Sequence, residues 1–63
     1  MLKDWLREKY RVGDLTEKQL QVFHEAVGLS RTLVLRWIYD DYEPAPEVLD
    51  KMLTEAHTLG YRA

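Results

Sequence analysis

An all-α domain is what this 63-residue sequence predicts, on three observations. Apolar residues recur at spacings of three and four within separate segments. Helix caps and breakers stand between those segments, and no stretch alternates apolar with polar residues as a half-buried strand does. The length suits a single domain, residues 1–63, of four to five helices, close to the smallest size that folds without staples.

The first segment, "LKDWLREKYRV", puts Leu2, Trp5, Leu6 and Tyr10 on one helical face and most of its charges elsewhere. Asp4–Arg7 and Glu8–Arg11 are opposite charges at i,i+3, which offsets the Asp4–Glu8 repulsion. Gly13 and Asp14 break this helix. In "LTEKQLQVFHEAVG", Thr16 followed by Gln19 reads as a capping box. Leu20, Phe23 and Val27 then form the inward face, and Gly28 suits a left-handed helix end. Ser30 is the next N-cap candidate. From Arg31 to about Asp40, Leu33, Val34, Trp37 and Ile38 share one side. Thr32, Leu35, Arg36 and Tyr39 face the other way, with Arg31 on the border. "YDDYEPAP" is a turn, and Pro46 fits a first helical position. Val48, Leu49, Met52, Leu53, Ala56 and Leu59 make a wide apolar stripe ended by Gly60. Trp5, Tyr10, Phe23 and Trp37 are expected in the core, because so short a chain needs bulky residues to gain enough burial.

Composition narrows the function. The net charge of −2 offers no general attraction for nucleic acid, so any DNA binding must come from a local basic face. The absence of cysteine excludes disulfides and thiolate metal sites and points to a reducing cytosol. No apolar run approaches a membrane span, and "MLKDWLREKY" lacks the apolar core of a signal peptide. His24 and His57 lie on different helices without a ligand set for zinc, and His24 is expected to be packed or hydrogen-bonded. Asp40, Asp41, Glu43 and Glu47 lack the spacing of a calcium loop and read as acids favouring the N-terminus of the last helix. With no phosphate loop and no nucleophile–base pair, neither catalysis nor a cofactor is expected.

In this order the elements resemble the lambda-repressor/Cro-like, or Xre-type, helix-turn-helix family. The pieces that carry the resemblance are "LREKY", "LTEKQL", "VGLSRTLVLRW", "YEPAPEVLDKML" and "LGY", over residues 5–61. The resemblance implies a helix-turn-helix unit at about residues 17–40, with its turn at Gly28-Leu29-Ser30 and a recognition helix starting near Arg31. Val34 and Trp37 would lock that helix to the one before. Ser30, Arg31, Thr32, Leu35, Arg36 and Tyr39 would face the major groove or its phosphate walls. Thr16 and Gln19 would meet a phosphate at a helix N-terminus, where unpaired amides favour an anion. Three features depart from the family pattern: His24 stands where a small residue is usual, the second helix is about one turn longer, and the loop after the third helix is acidic.

The function so implied is a small sequence-specific transcriptional regulator of phage or mobile-element type, cytoplasmic and nucleoid-associated. It would bind pseudo-palindromic double-stranded DNA as a homodimer. The last helix's stripe is wider than one packing face needs, which makes Val48, Leu59 and Tyr61 candidates for the dimer contact. A second reading stands beside it. Outward-facing Leu35 and Tyr39 suit a protein interface, as in a phage-encoded inhibitor or a subunit of a larger assembly.

Overall fold

The computed structural model describes residues 1–62; Ala63, the last residue of the expected domain, lies outside them. Four helices follow one another: α1 (Leu2–Arg11), α2 (Glu17–Val27), α3 (Arg31–Tyr39) and α4 (Pro46–Thr58). Their boundaries fall where local chemistry stops each helix.

At the start of α2 the Gln19 amide donates to the Thr16 hydroxyl (3.1 Å), while the Thr16 amide donates to Gln19 Oε1 (2.9 Å). The capping box is therefore complete on both sides. At its end Gly28 takes φ +81°, and the amides of Gly28 and Leu29 both donate to the His24 carbonyl (3.1 and 3.0 Å). The Gly28 amide also reaches the Glu25 carbonyl (3.3 Å), so two carbonyls of the last turn find donors. Ser30 then caps α3, its hydroxyl accepting the Leu33 amide at 3.2 Å. Pro46 is the first residue of α4, where its missing amide costs nothing.

Helix α2 packs most extensively on α4, and α1 lies across α3. Between them Leu6, Leu15, Leu20, Phe23, Val27, Val34, Trp37, Ile38 and Met52 form one buried cluster. Ala56 is also fully buried on α4. Leu15, in a connection rather than a helix, is the core member that face analysis overlooks. Its amide donates to the Lys9 carbonyl (3.1 Å), which folds the connection back onto α1. Leu15 and Leu20 then occupy the two positions of a hydrophobic staple around the Thr16 cap. The opposite exception is Leu53. It belongs to the apolar stripe of α4 but stays exposed, since the stripe is broader than the face that meets α2.

Candidate nucleic-acid interface

The three-residue connection Gly28-Leu29-Ser30 sets the start of α3 relative to α2. Leu29 packs partly against the core, and its carbonyl accepts a hydrogen bond from His24 Nδ1 at 2.9 Å. His24 thus ties the turn from the α2 side, and the acceptor requires the proton to sit on Nδ1. Val34, Trp37 and Ile38 are buried and hold α3 in place. Thr32 and Arg36, one turn apart, remain exposed, as does the capping residue Ser30.

Arg31 is in a different situation. Its Nη2 donates to Glu17 Oε1 and Oε2 (2.7 and 2.8 Å), and its Nε to Oε1 (3.2 Å). Nη2 also donates to the Tyr10 hydroxyl at 3.0 Å. Hydrogen bonding to the Glu17 carboxylate raises the guanidinium above its already high value, so Arg31 stays charged at any working pH. Tyr10 in turn stands edge-on to Tyr39, with ring centroids 6.4 Å apart. Arg31, Leu35 and Tyr39 lie four residues apart, along the edge of α3 that α1 approaches. Leu35 is consequently half-buried against the core rather than free to face outward, while Tyr39 stays 49% exposed.

Arg36 makes no ion pair among the described residues. Its guanidinium lies 6.0 Å from the centre of the Tyr42 ring, at the outer reach of a cation–π contact. Asp40, Asp41 and Glu43 are exposed beyond it. Lys3 of α1 donates to the Asp40 carbonyl at 3.2 Å, placing a cation at the negative end of α3. At the α2 N-terminus the side chains of Thr16 and Gln19 are engaged in capping one another, beside the Glu17 carboxylate.

The residues expected at a dimer contact have partners within this chain. Val48 and Leu59 pack partly against the core. Tyr61 stands edge-on to Trp5 (5.2 Å between centroids) and stacks on His57 (5.9 Å). Leu59 also lines a groove between α2 and α4 together with Lys18, Val22, Phe23 and Glu55. Tyr10, Glu17 and Tyr42, which govern how the two α3 arginines are held, escape sequence reasoning. The separations from Arg31 to Glu17 and Tyr10 are 14 and 21 residues, far outside helical neighbour spacing. Opposite charge near α3 was the available signal, and it could not choose Glu17 at the start of α2 over Asp40 or Glu43 in the loop that follows α3.

These features define a small all-α domain in which a tight turn joins two packed helices and the second shows two arginines in unlike states. Set against protein-family models, curated proteins and solved structures, the chain matches none of them. Among the described residues no helix is long and apolar enough to cross a membrane.

Proposed function

We propose that this protein is a sequence-specific DNA-binding regulator of the helix-turn-helix kind, with α3 entering the major groove. The observation that carries the reading is the asymmetry of α3. One side is locked by buried Val34 and Trp37, while Thr32 and Arg36, which has no ion-pair partner among the described residues, are exposed on a helix joined to α2 by a three-residue turn. A guanidinium free of carboxylate partners can bond guanine O6 and N7 together, and a threonine methyl can meet that of thymine. Arg36 is the principal reader in this scheme, with Thr32 and Ser30 beside it. The protein binds as a homodimer to a pseudo-palindrome, its half-sites about one helical turn apart.

The electrostatics support a reader with modest backbone attraction. Arg31 is neutralised by Glu17, and the acids beyond Arg36 repel phosphate at that end of α3. Affinity should therefore fall less steeply with salt than for a protein making many phosphate contacts.

Selection from a random duplex library at low and near-physiological salt tests the reading. Enrichment of a two-fold symmetric motif is the expected result. No enrichment from demonstrably folded protein would favour a second reading, a protein-binding module. The half-exposed Tyr39 packed on Tyr10 supports that alternative, since paired aromatics at a surface are typical interface anchors. Leu35, half-buried against the core, offers that surface only part of its side chain.

A further inference from the structure

Resting on the DNA-binding reading, we infer that Glu17 is a selectivity residue: together with Tyr10 it latches Arg31 away from nucleic acid, so that only a site able to displace the carboxylate recruits the guanidinium. The argument begins with a count of donors. A guanidinium carries five N–H groups, one on Nε and two on each terminal nitrogen. Here the Nε hydrogen points to Glu17, and Nη2 serves both Glu17 and Tyr10. Only Nη1 is left with donors to spare. A bidentate fork uses either Nε with Nη2 or Nη1 with Nη2, so occupation of Nη2 closes both forks at once. In this arrangement Arg31 can neither read guanine through two bonds nor grip a phosphate through two oxygens.

Charge points the same way. With Glu17 against it, Arg31 presents a nearly neutral pair to a passing duplex and gains little from counterion release. The pair is exposed on both sides, and exposed pairs are weak enough to open. The latch is thus a threshold rather than a block. An isolated phosphate contact in random sequence must displace the carboxylate unaided, whereas a site already held by Arg36 and Thr32 keeps its acceptors beside Arg31 and so meets the carboxylate at a high effective concentration.

The test is a double-mutant cycle read by fluorescence anisotropy on a random-sequence duplex across a salt series. It uses the wild type, Glu17→Gln, Arg31→Gln and the double variant, each checked for helicity and melting temperature. The latch predicts that Glu17→Gln binds several-fold more tightly than the wild type, with a salt slope steeper by about 0.9, one added phosphate contact. It also predicts that the gain vanishes in the Arg31→Gln background. A gain that persists without Arg31 would be a general charge effect and would overturn the latch. Wild-type binding that Glu17→Gln leaves unchanged would overturn the latch alone and keep the DNA-binding reading. If no variant binds duplex even at low salt, both fall together.

Discussion

Arg36 and Arg31 sit five residues apart on one helix, yet their surroundings give them opposite prospects. Arg36 rests near the Tyr42 ring and keeps its hydrogen-bond donors available, while Arg31 spends Nε and Nη2 on Glu17 and Tyr10. Arg36→Ala should therefore weaken binding to the selected site by about 1–3 kcal/mol. Because the side chain is exposed and unpaired, the melting temperature should barely move. Binding isotherms on the selected duplex, alongside a thermal melt, check both halves, and an unchanged affinity would remove Arg36 from the interface. Both arginines were legible in the sequence as candidates, but their difference was not. It depends on a carboxylate and a phenol that reach Arg31 only through the packing of α1 and α2 on α3. His24 was more readable: a polar ring near a helix end and a turn had carbonyls within reach, and it found that of Leu29.

At the scale of the element, the helix ends were the most legible part of the chain. Thr16, Gln19, Gly28, Ser30 and Pro46 each act as their local chemistry requires, because capping involves residues three or four apart. Thr16→Ala should cost about 0.5–2 kcal/mol, since it leaves an amide of α2 without its acceptor. Chemical denaturation checks this, and no loss would mean that water replaces the hydroxyl fully. Helix α1 has no side-chain cap; it is anchored by buried Leu6 and carries the exposed Asp4–Arg7 and Glu8–Arg11 pairs. Hydrogen bonds from Arg11 hold the Glu8 carboxyl below its ordinary value. A carboxyl lowered in the folded state stabilises the fold above the ordinary value of about 4.3, and that contribution fades as pH falls through the folded value. Glu8→Gln should therefore flatten part of the decline in melting temperature between neutral and acidic pH. Parallel melts of the two proteins across that range provide the measurement, and identical slopes would exclude Glu8 from the acid response. Face assignment on α4 was less certain, because periodicity marks an apolar stripe without telling how much of it a neighbour covers. Leu53 stayed outside, while Val48 and Leu59 turned inward far enough to pack on the core.

For the whole molecule, the decisive quantity is how little core a chain of this length can build. At about 0.05–0.15 kcal/mol per residue, total stability is on the order of 3–9 kcal/mol. Trp37 is 4% exposed in the middle of the single cluster, and Trp37→Ala should cost about 3–5 kcal/mol. The loss is comparable with the total, so the variant should melt near or below room temperature as one cooperative unit. A circular-dichroism melt checks this, and a variant that stayed folded with a modest shift would mean that the cluster can close over the gap. Such a small body has one core, and every helix contributes to it. The sequence by itself determined the all-α class, the caps, the turn at Gly28-Leu29-Ser30 and the inward faces of α2 and α3, because these follow from interactions within a few residues. Tertiary structure alone decided that Leu15 enters the core, that Leu35 is half-buried, that Tyr61 rests on Trp5 and that Arg31 is held by a carboxylate while Arg36 has none among the described residues. Each of these depends on which helix lies across which, and no local spacing encodes that arrangement.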